Sequence, residues 1–381
     1  MKQFFYLYFF IYYIFIIIYA SFLNIGDFEI TYLLQNNSIS FIQNKFLSFI
    51  GYTNLSFRLI PIILSMFSIV LYYRISKNYL KKEKDIFLST IIFSLLPGFI
   101  VATFLFNKSI YLIFLVLLFI YTFIYYRFYS YVFLFLYTTL NYSFLFLYFA
   151  LIFYSIYKKN TKFLIYSILL LMINANYFNY DINGHPQGHF IDILLIYFAI
   201  FSPFVFIYFV YTLIKIAKKP NLLWFISIFS LLLSFLLSFR QKIKIDDFAP
   251  FVIISVIFMV SVFLNGYRVR LKRFRTNYRN LFLFLLTSLI LFDVILLSSP
   301  YIFNKKVFNQ FRYSKQLAQY LINKKINSIS CKNNILCEKL YFYGLKKGNK
   351  YYINFDKNTQ KVSISHNNQV LYNFYVSKLN K

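Results

Sequence analysis

Acidic side chains are scarce in this chain: 11 Asp and Glu stand against 40 Lys and Arg in 381 residues. Charged residues of both signs reach only 13%, about half the share of an ordinary water-soluble domain. That is too little charge to coat a globule of this length, and it excludes a soluble enzyme. Histidine is down to 3, cysteine to 2 and glycine to 8. The two cysteines, Cys331 and Cys337, lack two further ligands at suitable spacing, which speaks against a zinc module.

What is present instead is apolar and aromatic: 60% hydrophobic residues and 24% Phe, Tyr and Trp. They come in runs of about 20 residues separated by short basic clusters, the pattern of a polytopic helical membrane protein. Disorder and fibrous repeats are excluded with the soluble class. The net charge of +29 raises the question of nucleic acid, but the bases sit between apolar runs and form no nucleic-acid-binding signature. The expected fold is therefore an all-α membrane domain over 1–299, with a small α/β domain over 300–381.

Eleven crossings are expected, at 4–23, 57–75, 86–105, 109–126, 131–140, 142–157, 163–178, 191–214, 222–239, 248–265 and 280–298. The first is read as an uncleaved helix rather than a signal peptide. Thr138, Thr139, Asn141 and Tyr142 mark either a turn between two short spans or the middle of one long helix. Charge parity decides for two. Only then do Lys81-Lys82-Glu83-Lys84, Arg127, Lys158-Lys159, Lys215 to Lys219 and Arg268 to Arg279 share one side, the cytoplasmic one by the positive-inside rule. The N-terminus is then inside. The loops 24–56, 107–108, 179–190 and 240–247, and the segment 300–381, lie outside. In that last segment a helical stretch near Asn309 to Lys324 precedes short alternating strands such as 350–355 and 361–365. Cys331 and Cys337 are free to form a disulfide in an oxidising compartment, or to remain thiols.

With so few acids, each carries information. Asn24-Ile25-Gly26-Asp27-Phe28-Glu29 follows the first helix directly and opens a loop of about 33 residues. Asp27 and Glu29 are either an interfacial pair capping the next helix or a general base, taking a proton from an acceptor while a lipid-borne donor is attacked. Arg240, Lys242 and Lys244 form the densest basic cluster on the expected outer side. They suit either a phosphate leaving group or lipid head groups. Arg58, at the outer end of a helix, is a phosphate or carboxylate partner or a snorkelling anchor. The loop Asp181-Ile182-Asn183-Gly184-His185-Pro186-Gln187-Gly188-His189 holds two of the three histidines. Asp181, His185 and His189 are read as sugar or acceptor contacts, as a metal set, or as a plain polar loop. Glu83 and Asp85 are expected to be solvated among cytoplasmic lysines, Asp246 and Asp247 to balance nearby lysines, and Asp293 is ambiguous.

The acidic residue after the first helix, the amphipathic loop, Phe57-Arg58-Leu59-Ile60-Pro61 and Tyr72-Tyr73-Arg74-Ile75-Ser76-Lys77 together resemble the opening of family 39 glycosyltransferases. These include the protein mannosyltransferases and the aminoarabinose transferases of lipid A. Ser202-Pro203, and Arg240-Gln241-Lys242-Ile243-Lys244 before Ala249-Pro250, are similar to later features of that family, so the resemblance covers roughly 1–265. It implies a C-type (GT-C) membrane enzyme that takes a sugar from a polyprenyl-phosphate donor and inverts the anomeric centre. The acceptor would be a lipid, glycan or protein at the outer face of a bacterial inner membrane. Asp27 takes the position of the base, while Phe28 replaces the usual adjacent Glu and displaces it to Glu29. Asn107-Lys108 stands where an acidic residue is common, which weakens a two-carboxylate metal site. The resemblance fixes no cofactor and leaves a divalent metal open, and nucleic acid is not an expected partner. The rival class is a flippase or transporter of lipid-linked saccharides, which calls for paired halves and broken helices.

Overall fold

Helix dominates the computed structural model, which describes residues 2–35, 37–178, 188–302, 314–331, 334–354, 360–366 and 369–378. The helices are α1 (Lys2–Phe22), α2 (Asp27–Leu33), α3 (Ser38–Ile50), α4 (Asn54–Tyr79), α5 (Glu83–Ser94), α6 (Pro97–Phe104), α7 (Ser109–Tyr125) and α8 (Arg127–Tyr137). They continue as α9 (Phe144–Tyr157), α10 (Thr161–Phe178), α11 (Phe190–Phe201), α12 (Pro203–Ile216), α13 (Leu222–Ser238), α14 (Ala249–Ile253), α15 (Ile257–Val269) and α16 (Lys272–Ile302).

Every expected apolar stretch is helical, but the count of eleven full crossings is corrected. Among the described residues five helices are long and apolar enough to cross a bilayer: α1, α4, α10, the α14–α15 run and α16. Two bent pairs, α5–α6 at 61° and α11–α12 at 99°, raise this to seven if each is one span. The breaks have local causes. Pro97 opens α6 and Pro203 opens α12, and a proline disfavours helix in the residue before it. Ser202 between α11 and α12 has φ +66°. Helices α7, α9 and α13 are shorter, and α8 has 11 residues, about 16 Å against ~30 Å of hydrocarbon. The 131–157 stretch is two helices with a turn between them, not one long helix.

Exposed surface agrees with a lipid solvent. The apolar windows of α1 and α16 are each only 11% buried, and Phe4, Tyr6 and Phe10 lie on the surface, a pattern costly in water. Hydroxyls within the helices bond their own backbone. Ser155 donates to the Leu151 carbonyl and Ser167 to that of Phe163, which satisfies polar groups where no water is at hand.

The chain divides by its contacts into two units. The first comprises 1–5, 63–103 and 107–294. Its helix ends sort into two sets. In one, Arg268 Nη2 reaches both Asp85 oxygens at 2.6 Å. Tyr125 in the same set donates to the Arg74 carbonyl and Trp224 to that of Leu213. In the other, residues 107–109, 141–143 and 246–247 meet. There Asn174 Nδ2 donates to Thr138 O, and His189 N–H to Ser238 O. The turn at 138–143 thus lies beside the turns at 107–109 and 246–247.

The second unit comprises 6–62, 104–106 and 295–381. Its C-terminal part contains α17 (Ser314–Asn323), β1 (Ser328–Cys331), α18 (Asn334–Phe342), β2 (Lys346–Asn354), β3 (Gln360–His366) and β4 (Gln369–Lys378). The sheet order is β1-β2-β4-β3, with β1 parallel to β2 and the other pairs antiparallel. A parallel pair needs a crossover, and α18 supplies it. Leu317 and Leu321 of α17, Ile329 of β1, Leu336 and Leu340 of α18 and Ile353 of β2 form the core of this part. Cys331 and Cys337 are joined as a disulfide across the β1–α18 connection.

Candidate functional site

In the second unit, the loop after α1 folds into α2 and α3 and places its two carboxylates in opposite circumstances. Both lie in the first turn of α2, where the helix dipole favours negative charge. Glu29 is 1% exposed and accepts four hydrogen bonds. Oε2 takes the Gly26 N–H at 2.9 Å and Arg58 Nη2 at 2.7 Å; Oε1 takes Arg58 Nε at 3.2 Å and the Phe106 N–H at 3.0 Å.

Arg58, the fifth residue of α4, is completely buried. Its Nη1 donates to the carbonyls of Ala20 and Leu23, and its Nη2 also donates to that of Asn24. These carbonyls belong to the C-terminal end of α1, where backbone acceptors lack helical partners. The guanidinium has five N–H groups, and each meets an acceptor. Of the roles open to Arg58 in the sequence, carboxylate partner is the one it fills. A phosphate would have to displace these bonds. Glu29 and Arg58 together tie the end of α1, the start of α2, the start of α4 and residue 106 into one node.

Asp27 is different. Its side chain is 42% exposed and pairs through Oδ1 with Lys339 Nζ, whose own side chain is fully buried on α18. Burial pushes the Lys339 ammonium below its ordinary range, opposed by the Asp27 charge and hydrogen bond and by Glu29. Beside it, the Tyr343 hydroxyl accepts from the Ile25 N–H at 3.1 Å and donates to Asn54 Oδ1 at 2.8 Å. Burial pushes this phenol up to about 12. Neither Lys339 nor Tyr343 stands out in the sequence, because Lys and Tyr are abundant throughout.

In the first unit a second polar centre forms at the 107–109, 141–143 and 246–247 turns. Asp247, 4% exposed, accepts from Lys108 Nζ and Ser143 Oγ, and from Tyr142 Oη at 2.7 Å. Lys108 also donates to Tyr142 at 2.8 Å. Ser109 Oγ donates to Asp246 at 2.9 Å. Burial raises the Asp246 carboxyl, against the lowering effects of Ser109 and Lys108. Asp247 is thus the counter-ion of Lys108, and the nearby loop lysines are left outside the pair. Arg240, Lys242 and Lys244 are exposed, and no salt bridge joins them among the described residues. Ile243 between the two lysines is buried, so Lys242 and Lys244 share the outward side of an irregular segment.

His189 stands at the N-cap position of α11, and its partly exposed side chain contacts the exposed Asp192 at 3.1 Å. Asp181 and His185 lie outside the described residues. No cluster of three or more His, Cys, Asp or Glu suited to a metal occurs among the described residues. Asp85 corrects its expected solvation: it is 5% exposed and held by Arg268. Asp293 in α16 is buried, and neither oxygen has a hydrogen-bond partner among the described residues.

No family model matches this chain, and no curated protein matches it.

Proposed function

We propose that the chain is a multi-span membrane glycosyltransferase. It would move a sugar from a polyprenyl-phosphate donor to a lipid, glycan or protein acceptor at the outer face of a bacterial inner membrane. The observation that carries this reading is the division of labour in α2. Glu29 is consumed by a buried node that fixes the backbone, and Asp27, two residues away, presents a partly exposed carboxylate directly after the first apolar helix. A general base needs that combination of fixed position and access.

In the proposed reaction Asp27 accepts the proton of the acceptor hydroxyl or amine as its oxygen or nitrogen bonds to the anomeric carbon. The bond from that carbon to the phosphate oxygen breaks on the opposite face, which inverts the centre. The polyprenyl phosphate leaves with the electron pair. Its growing negative charge calls for fixed or mobile cations. The N-terminus would be cytoplasmic and the 314–378 part extracytoplasmic, where the Cys331–Cys337 disulfide is at home.

A second reading, a flippase for lipid-linked saccharides, draws on the two broken helix pairs and on Asp293 within α16, both features of transporters. One experiment separates them. Purified protein in vesicles is given a panel of radiolabelled polyprenyl-phosphate sugars with a membrane extract as acceptor. Label moving onto a new molecule, with release of polyprenyl phosphate, supports transfer. Label crossing to the other leaflet on an unchanged lipid overturns transfer in favour of the flippase.

A further inference from the structure

The acid proposed as base is held by a residue far along the chain. Lys339 lies on α18, between the disulfide half Cys337 and the end of the helix at Phe342. Its side chain is fully buried, yet its ammonium meets the partly exposed carboxylate of Asp27. Leu336 and Leu340 on the same helix pack into the core beneath the sheet, so the lysine cannot follow Asp27 if that carboxylate swings away. A surface pair would leave both partners free to move and would be screened by water. Here the cation is anchored in the core and the acid is the more exposed member.

We infer that Lys339 is a positioning residue for Asp27: anchored in the core of its segment, it aims the carboxylate, so that the α18 segment takes part in setting the base of the transfer reaction. This rests on the function proposed above. Among the described residues, the charged groups acting on Lys339 include Asp27 and Glu29, both from α2. Arg58 is occupied by Glu29. Tyr343 lies next to the pair, and Glu338 is the neighbour on α18 itself. Of the elements packed on α18, α17 carries Lys315 and Tyr320, both exposed, and the cysteine of β1 is tied in the disulfide. Lys339 is thus a cation held against Asp27, and replacing it by a neutral side chain favours the protonated form of a neighbouring carboxyl.

The test compares the full-length protein with Lys339→Met, Lys339→Arg and Asp27→Asn variants, using the best donor of the sugar-phosphate panel across a range of pH. Methionine suits the buried stem without the charge. The Lys339→Met variant is expected to keep transfer at mildly alkaline pH. Its acid limb should move up by about one unit or more, roughly a tenfold loss for each unit on the acid side. Lys339→Arg is expected to return the limb toward its original position. A limb that does not move in Lys339→Met, while Asp27→Asn is inactive, overturns this inference and leaves the transfer reading standing. So does an equal loss of activity at every pH, which is what a merely structural lysine would give. Full transfer by Asp27→Asn, or no transfer by the wild type with any donor, overturns both. A thermal double-mutant cycle on positions 27 and 339 reads the pairing without any substrate, and additive effects there also count against the inference.

Discussion

Replacing Glu29 by Gln changes one atom and, by the geometry of its site, should cost far more than an isosteric change suggests. Its four partners are all donors: two backbone N–H groups and two N–H groups of Arg58. Each carboxylate oxygen serves one of each kind. In either flip, the glutamine amide therefore turns an NH2 toward two other donors. Two hydrogen bonds are lost, at least one of them to a charged group, each worth about 1.5–3 kcal/mol when charge-assisted. The Arg58 charge is also left without its counter-ion in a site closed to water. Breaking a buried pair in this way costs about 3–5 kcal/mol, a large share of a typical total stability. The loss is measurable by titrating the detergent-solubilised protein with a denaturing detergent and following near-ultraviolet circular dichroism. Arg58→Met should be comparably damaging, since it strands the carbonyls of Ala20, Leu23 and Asn24. The double variant should fall well short of the sum. A Glu29→Gln protein within about 0.5 kcal/mol of wild type, a typical surface-substitution range, would refute the node as the anchor of the α1–α2 junction.

Other consequences follow from separate places in the fold. A Cβ on Gly98 would lie 2.5 Å from Ile200 Cγ2 and 3.2 Å from Ile200 Cβ; Gly98→Ala is expected to lower stability by about 1–3 kcal/mol, with part recovered when Ile200→Ala is added, as thermal unfolding of the two single variants and the double variant will show. Asp246 has its carboxyl raised by burial, so the folded chain favours its protonated form, and that contribution is present in acid and lost as pH rises through the raised value. Asp246→Asn should thus gain stability over wild type with increasing pH, read as melting temperature against pH; a difference independent of pH would contradict the shift. Lys108→Met leaves Asp247 buried without its cation and is expected to cost about 3–5 kcal/mol, whereas Lys242→Met, at an exposed position, should change stability by no more than about 0.5 kcal/mol.

The parts of the fold that were legible in the sequence are those set by local pattern. Apolar runs located every long helix. The turn at Thr138 to Tyr142 followed from counting charges on either side of the runs, and the structure places that turn beside 107–109 and 246–247. The α/β character of the last segment showed in its change of periodicity. Helix length was less legible. A run of apolar residues does not reveal where Pro97 or Pro203 bends it, nor that α8 stops after 11 residues. The candidate site was legible on one side only. Asp27, Glu29 and Arg58 drew attention because acids are rare and because they sit at helix ends, yet their separate roles depend on contacts with residues 106 and 339. Lys108 has its counter-ion in Asp247, far along the chain on another turn. Asp85 looked solvated because its sequence neighbours are lysines, while its true partner, Arg268, comes from another helix. Pairings across such distances leave no trace in a single sequence, least of all when one partner is a lysine among many.

The central claim, that this membrane protein transfers a sugar and that Asp27 takes the proton, is tested most directly by single-turnover transfer in vesicles. Wild type and Asp27→Asn, both shown to be inserted and folded, are mixed with a labelled polyprenyl-phosphate sugar and acceptor. The account predicts labelled acceptor and free polyprenyl phosphate from the wild type, and a rate lower by roughly 10²–10⁴ from the variant, the usual share of a general base. Equal rates from the two proteins would contradict it.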